Sequence, residues 1–235
     1  MNRSIPLFLG WAATGYLMLQ GLTGCESETL PEAPPPPQLE QAESLGAPKL
    51  KTFAYNCLIN GYVVADFRQS DDSMWLFLPR ETLLLPRERT ASGARYSNGD
   101  ISFWSKGTEA LLEDTEGQDH CVEDRRASIL EDAKLRGVDY RATGNEPGWV
   151  LEITGNAVMF STNYGQDTYN FVSAGHAFDQ DSRIASYNSV STEPAISARI
   201  IGKTCSDDMS GERFETQAEV ELNGSIYRGC GQGLH

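Results

Sequence analysis

Two short polar strings give this chain side chains that can bind carboxylates. One is Ala-Ser-Gly-Ala-Arg-Tyr-Ser at 91–97, and the other is Phe-Trp-Ser-Lys-Gly at 103–107. They place the hydroxyl of Ser92 and the ammonium of Lys106 14 positions apart. Both groups donate hydrogen bonds, and charge-assisted bonds to carboxylates are strong when docking removes water from them. The two strings therefore provide a pair of donors that can bind acceptor groups on a partner.

The residues beside the two donors suit protruding turns. Gly93 follows Ser92, and Gly107 follows Lys106, so the backbone next to each donor is relaxed. We expect Tyr96 to pack at the rim of the same surface, as aromatic anchors do at interfaces. Taken singly, the serine is an ordinary turn residue and the lysine a solvated cation. Only their ordered combination between two cysteines indicates a function.

The elements that must position these donors are short strands. Apolar or alternating runs are separated by Gly, Pro and Ser-Asp-Asp punctuation, which is typical of strands and turns. The predicted strands are 53–57, 62–67, 74–78, 81–85, a hairpin over 96–104 with a turn at 97–100, and 109–113. Phe103 and Trp104 are expected in the core. We therefore predict a small antiparallel barrel or sandwich over 50–122.

In this region the chain resembles the membrane-bound inhibitors of c-type lysozyme, the MliC family. The resemblance rests on Tyr55-Asn56-Cys57, the segment 76–79, the strings 91–96 and 103–107, and Cys121, in that order. It implies that Ser92 and Lys106 enter the lysozyme cleft, where one carboxyl group is a protonated acid and the other is ionised. Thr108 departs from the family pattern, which usually has Asp there.

Residues 1–24 have the layout of a secretory signal peptide. An early Arg3 precedes an apolar stretch and then Leu22-Thr23-Gly24-Cys25, which is a lipobox. It predicts cleavage at Cys25 and acylation of that residue, giving a lipid anchor. A transmembrane anchor is the alternative, but the apolar run is short and interrupted for a span of about 20 residues. Glu26 follows, and resemblance to Gram-negative lipoproteins implies the outer membrane, facing the periplasm.

Residues 25–49 are predicted to be a disordered tether. Four consecutive prolines at 34–37 lie in a Pro-, Glu-, Ala- and Gln-rich segment with no aromatic residue. Such a composition cannot bury a core and favours an extended, solvated chain. A Pro-rich ligand for a partner domain is the alternative interpretation.

The cysteines fit an exported protein. With Cys25 acylated, four cysteines remain, and four allow three pairings. We expect Cys57 to pair with Cys121 and Cys205 with Cys230, because each pair then links the ends of one predicted domain. Zinc binding is the competing interpretation, but no pair has close ligand spacing and the three histidines are scattered. No metal and no cofactor are expected.

The formal net charge of −14 excludes nucleic acid as a natural partner, because phosphates require a basic face. It suits a basic partner, and c-type lysozymes are strongly basic. Opposite net charges mainly speed the encounter. The same charge also fits an ordinary soluble surface.

A short helix is predicted at 123–137. Apolar residues Ile129, Leu130, Ala133 and Leu135 lie near helical spacing, and Gly137 ends the run. After it, strand patterns return within a second domain at 138–235, namely at 150–153, 158–160, 195–201, 218–222 and 226–230. The fold class predicted is therefore all-β, with two small antiparallel domains joined by this helix. The chain length beyond the tether, about 185 residues, suits two small domains.

Residues 138–235 resemble an uncharacterised β domain of bacterial envelope lipoproteins. The resemblance rests on the strings at 144–149, 205–210 and 229–230, and it implies a fold and an address but no established activity. Glu146, Asp207 and Asp208 are candidate residues for a hydrolytic site, but no nucleophile string or phosphate loop accompanies them. We therefore expect a binding or structural module and no enzyme. The alternative for the whole chain is an envelope-binding module, for peptidoglycan, a small ligand or an envelope protein, without lysozyme inhibition.

Overall fold

The computed structural model describes residues 51–190 and 193–235. The predicted signal peptide, the lipidation site Cys25 and the Pro-rich tether lie outside the described residues. Within them the chain is almost all β, with two eight-stranded antiparallel barrels and one α-helix between them. This confirms the predicted fold class. None of the described helices is long and apolar enough to cross a membrane.

The first barrel is an up-and-down meander in which each strand pairs with its neighbours in the chain. It closes where β1 pairs with β8 at the linked Cys57 and Cys121. Its strands are β1 (Thr52–Cys57), β2 (Gly61–Arg68), β3 (Ser73–Phe77), β4 (Thr82–Glu88), β5 (Ala94–Ser97), β6 (Ser102–Lys106), β7 (Glu109–Glu113) and β8 (Gln118–Glu123).

The side chains at alternate positions of these strands point inward and fill the barrel. Tyr55, Phe103 and Met74 are each almost completely buried, and the rings of the first two meet edge to face at 5.3 Å. β4 continues through Pro86, which the sequence indicated as the end of a strand. Pro86 lies opposite Ser73, the first residue of β3, so it lies at the margin of that pairing.

Because the strands alternate in direction, the connections alternate between the two ends of the barrel. We call the end formed by loops 69–72, 89–93 and 107–108 the Ser–Lys end, since it carries both predicted donors. The loops 58–60, 78–81, 98–101 and 114–117 form the opposite end. Topology therefore brings the two donor turns to the same end of one barrel.

Helix α1 (Arg125–Leu135) packs on the outside of β1. Its N-cap, Asp124, accepts a hydrogen bond from the Ala127 amide at 3.0 Å, which satisfies one free amide of the first turn. The Ser128 hydroxyl accepts from the Ala54 amide at 2.9 Å. One turn later, Asp132 accepts from the amide of Thr52 at 3.2 Å. The helix therefore runs along β1 toward the Ser–Lys end.

The C-terminal end of α1 contacts the second barrel. Arg136 donates to both carboxylate oxygens of Glu152 at 2.7 and 2.9 Å, and to Asp132 at 2.8 Å. These hydrogen bonds raise the pKa of Arg136. Both carboxylates are buried, so the guanidinium supplies the charge that makes their burial tolerable.

The second barrel closes between β18 and β9. Its strands are β9 (Tyr140–Asn145), β10 (Gly148–Thr154), β11 (Ala157–Thr162), β12 (Asp167–Asp179), β13 (Ile184–Ser189), β14 (Ile196–Ile201), β17 (Thr216–Leu222) and β18 (Ser225–Gly233). Between β14 and β17 the chain makes a small separate ribbon, β15 (Cys205–Ser206) paired with β16 (Arg213–Phe214). The disulfide Cys205–Cys230 links this ribbon to β18.

Candidate partner-binding site

Ser92 and Lys106 lie on neighbouring loops of the Ser–Lys end. Ser92 is in the loop between β4 and β5, and Lys106 is the last residue of β6, which pairs with β5. Both side chains are exposed. Neither the Ser92 hydroxyl nor the Lys106 ammonium has a hydrogen-bond or ion-pair partner within residues 51–190 and 193–235. Both donors are therefore free to bind groups on another molecule.

The backbone of Ser92 is held by two hydrogen bonds to its carbonyl oxygen. The Trp104 indole Nε1 donates to it at 2.9 Å, and the Thr90 hydroxyl donates at 3.1 Å. Trp104 lies on β6, two residues before Lys106. The strand that carries Lys106 therefore also holds the loop that carries Ser92. Sequence reasoning placed Trp104 in the core and missed this role; it is half-buried.

Gly93 brings the serine loop against β6. Its φ of +71° lies in the left-handed region that favours glycine. A Cβ atom at this position would collide with the Ser105 carbonyl oxygen, lie 2.8 Å from Trp104 Nε1 and lie 3.3 Å from the Cβ of Lys106. The absence of a side chain at Gly93 therefore permits the close approach of the two donor loops.

The turn after Lys106 is a tight two-residue connection. Lys106 pairs with Glu109 across it, and Gly107 has a φ of +64°. The carbonyl oxygen of Thr108 accepts from the Glu123 amide at 2.8 Å. The backbone of β8 thus holds this turn, although Thr108 brings no carboxylate to it.

A buried polar group lies inside the barrel at the same end. Tyr55 is 2% exposed and its hydroxyl lies close to Ser105. Burial, with the nearby carboxylate of Glu123, raises the pKa of Tyr55 to about 12. The Glu123 side chain is itself 6% exposed, and its nearest cation is Arg125 at 3.8 Å. Ser105 precedes Lys106 on β6, so the Tyr55 hydroxyl of β1 lies behind the strand that ends in the lysine turn.

Tyr96 does not lie at the rim in this structure. Only 6% of it is exposed, and its ring packs against Phe67 with the centroids 5.3 Å apart. Burial raises the pKa of the Tyr96 hydroxyl above its ordinary value. Its neighbour Arg95 points outward and pairs with Glu88 at 3.2 Å. Tyr96 therefore supports β5 from inside the barrel, and we leave it out of the contact set proposed below.

Two comparisons with known proteins bear on this barrel. Residues 55–120 match the family model described as membrane-bound lysozyme-inhibitor of c-type lysozyme, MliC. A protein of Yersinia enterocolitica named "Membrane-bound lysozyme inhibitor of C-type lysozyme" is 40% identical to the chain over 70 residues. That match covers 30% of this chain and 59% of the relative. The comparison with solved structures found no match.

The first barrel also contains one group of metal-ligating side chain types. Within the described ranges, Cys57, Asp119 and Cys121 are the only such group of three. The two cysteines form the disulfide that closes the barrel, so their sulfurs are not thiolate ligands. Burial alone would raise the pKa of Asp119, but hydrogen bonds from Asn60 and Ile59 hold it below its ordinary value. Asp119 therefore organises a loop at the opposite end.

In the second barrel the three motif strings come together around Trp149. This residue is 3% exposed, and its ring lies against Gly144 and Gly229, where a Cβ atom would collide with it. Asp207 accepts from the Ser210 amide at 2.7 Å and from Asn145 Nδ2 at 2.8 Å. These bonds join the 144–149 string to the 205–210 string and lower the pKa of Asp207.

An open groove of about 620 Å³ lies between the ribbon and the strands β17 and β18. Glu146 and Asp208 line it and are exposed, whereas Asp207 is already committed to its loop. The structure therefore brings the three candidate carboxylates to one groove. Asp207 stabilises the loop there by accepting hydrogen bonds from Ser210 and Asn145.

Proposed function

We propose that the chain inhibits c-type lysozyme, and that the Ser–Lys end of its MliC domain plugs the active-site cleft. The observation that carries this proposal is a pair of exposed donors, without partners among the described residues, on two loops that touch at Gly93. A hydroxyl and an ammonium at fixed spacing match a target that displays two carboxyl groups at the floor of a cleft.

The proposed contacts differ in strength. The ammonium of Lys106 binds an ionised carboxylate and loses its water on docking, so this contact dominates the affinity. The hydroxyl of Ser92 donates to the second carboxyl group and adds a weaker bond. Neither step needs chemistry on this chain, since in the described ranges no base is hydrogen-bonded to the Ser92 hydroxyl. The proposed role is therefore inhibition by occupation of the cleft.

The location proposed for this activity is the outer membrane. The Yersinia relative is named as membrane-bound. The lipobox ending at Cys25 supports a lipid anchor, with the Pro-rich segment as a spacer that faces the periplasm. A net charge of −14 favours fast encounter with a basic enzyme, an effect that salt weakens.

The decisive experiment titrates the lysis of bacterial cell walls by a c-type lysozyme with the exported chain carrying Cys25→Ser. We expect inhibition at one-to-one stoichiometry. Lys106→Ala is expected to weaken binding by about 2–5 kcal/mol, the typical effect of breaking a desolvated charge pair. Ser92→Ala is expected to weaken binding by about 0.5–1.5 kcal/mol.

Both substituted side chains are exposed, so the unfolding midpoint is expected to stay unchanged in either variant. If the double variant inhibits as well as the unaltered chain, the assigned contact is wrong even though the protein is an inhibitor. If the unaltered, folded chain does not inhibit, the proposed function is wrong.

The groove of the second barrel favours a second candidate function, binding of an envelope component. Its free carboxylates, Glu146 and Asp208, can accept hydrogen bonds from hydroxyl or amino groups of a glycan. Co-sedimentation with purified peptidoglycan, together with no effect on lysozyme, would support this function in place of inhibition.

A further inference from the structure

The charges of the first barrel are separated between its two ends. The loops of the opposite end carry four carboxylates, Glu81, Asp100, Asp114 and Glu116, and one arginine, Arg80. The loops of the Ser–Lys end carry two carboxylates, Asp71 and Asp72, and one arginine, Arg89. The net negative charge of the loops is therefore concentrated at the end away from the two donors.

Ion pairs neutralise the carboxylates in the loops of the Ser–Lys end. Asp72 pairs with Arg87 at 3.2 Å, and Asp71 lies 3.9 Å from Arg68. Arg95 is also paired, with Glu88. The three arginines of the neighbouring strands, Arg68, Arg87 and Arg95, are therefore each paired with an acidic side chain of the same molecule.

Arg89 is the exception at this end. It lies in the serine loop, three residues before Ser92, and it is exposed. Among the described residues its guanidinium has neither a hydrogen bond nor an ion pair. The loop around it is nevertheless ordered by the Thr90 and Trp104 hydrogen bonds to the Ser92 carbonyl. An arginine in this position presents five N–H donors to whatever docks on the serine loop.

We infer that Arg89 is a third contact of the docking surface and binds an acidic side chain at the rim of the partner's cleft. This inference rests on the proposed function and extends it from two donors to three. The guanidinium fork fits a carboxylate with two parallel hydrogen bonds. The partner that fits this end is a protein that is basic overall but acidic within and around its cleft.

The chain offers a matched control for this contact. Arg80 is also exposed and without an ion pair in the described ranges, but it lies at the opposite end. Arg80→Ala and Arg89→Ala remove the same side chain and the same unit of charge. Any difference between them reports local contact with the partner and not the net charge of the chain.

The test measures the dissociation constant for a c-type lysozyme, with the exported chain carrying Cys25→Ser, at two salt concentrations. We expect Arg89→Ala to weaken binding about tenfold, Arg89→Lys to recover part of the loss, and Arg80→Ala to change it less than twofold. The loss in Arg89→Ala is expected to shrink at high salt, whereas a folding defect would lower the unfolding midpoint at both concentrations.

Equal effects of Arg80→Ala and Arg89→Ala, with Lys106→Ala still abolishing inhibition, would overturn this inference and leave the proposed function standing. A lower unfolding midpoint in Arg89→Ala than in Arg80→Ala would assign Arg89 a structural role and would also overturn it. If the unaltered chain does not bind lysozyme, the proposed function and this inference fall together.

Discussion

Substitution of Gly93 by alanine tests whether close packing of the two donor loops sets their spacing. A Cβ atom there would collide with the Ser105 carbonyl oxygen, which belongs to the backbone of β6 and cannot swing aside as a flexible side chain would. The serine loop must therefore move away from the strand that carries Lys106. Inhibition should fall because the two donors no longer reach both carboxyl groups together.

The magnitude follows from two effects. Alanine at a φ of +71° costs about 1–2 kcal/mol because the left-handed region is unfavourable for a residue with a Cβ atom. The steric displacement adds about 1–3 kcal/mol, as insertion of an extra methyl group into a packed site does. Gly93→Ala is therefore expected to lower the free energy of unfolding by about 2–5 kcal/mol.

Gly61 provides the control. It has the same φ of +71°, lies next to the opposite-end loop 58–60, and a Cβ atom there would meet nothing within 4 Å. Gly61→Ala should lower the free energy of unfolding by only about 1–2 kcal/mol, from the backbone conformation alone, and should leave inhibition unchanged. Urea denaturation with the disulfides intact, and the cell-wall lysis assay, measure both properties. Equal losses of stability and equal inhibition in the two variants would refute the argument that Gly93 sets the loop spacing.

Two further predictions concern single side chains. Trp104→Phe removes the indole donor to the Ser92 carbonyl oxygen, so it should lower the free energy of unfolding by about 0.5–1.5 kcal/mol and weaken inhibition. Trp75 makes no such bond in the described part of the chain, so Trp75→Phe should leave inhibition intact. Burial raises the pKa of Tyr55 and of Tyr140 to about 12, so the folded state holds these protons more tightly than the unfolded state. The contribution of these two tyrosines to stability should be constant below pH 10 and fall by roughly 2–3 kcal/mol per tyrosine as the pH rises to 12 and above, and a denaturation midpoint that stays flat between pH 10 and 12 would contradict the assignment.

The position of the two donors was predictable because it depends on local sequence. Each donor belongs to a short string with its own glycine, and the two strings are separated by a single hairpin. In an antiparallel meander, loops that are two connections apart fall at the same end of the sheet. Order along the chain was therefore enough to bring Ser92 and Lys106 together.

The strict alternation of strand side chains explains why Tyr96 and Trp104 lie elsewhere than predicted. β5 points Arg95 outward and Tyr96 inward, and β6 points Phe103 inward and Trp104 outward. Because successive side chains of a strand point to opposite faces, the residue after the buried Phe103 must point outward. That residue is Trp104, which lies next to the serine loop. The hydrogen bond from its indole has no further signal in the sequence.

Strands β12 and β13 were not predicted, and their exposure explains why. The second half of β12 is exposed, including Phe178 at 63%, so apolar and polar residues do not alternate there. Hydrophobic periodicity marks a strand only where one face is buried. Pairing across the two strands, such as that of His176 with Tyr187, is a non-local property that periodicity does not contain.

The attachment of the second barrel was also beyond sequence reasoning. Helix α1 is bonded to the start of β1 through Asp132, and Arg136, which follows its last turn, is bonded to Glu152 on β10. Since a buried ion pair is costly to break, the helix is fixed to both barrels and does not act as a free linker. It also runs toward the Ser–Lys end, and the Glu123 amide just before it holds the lysine turn. The second barrel is therefore attached next to the start of β1, at the Ser–Lys end of the first barrel.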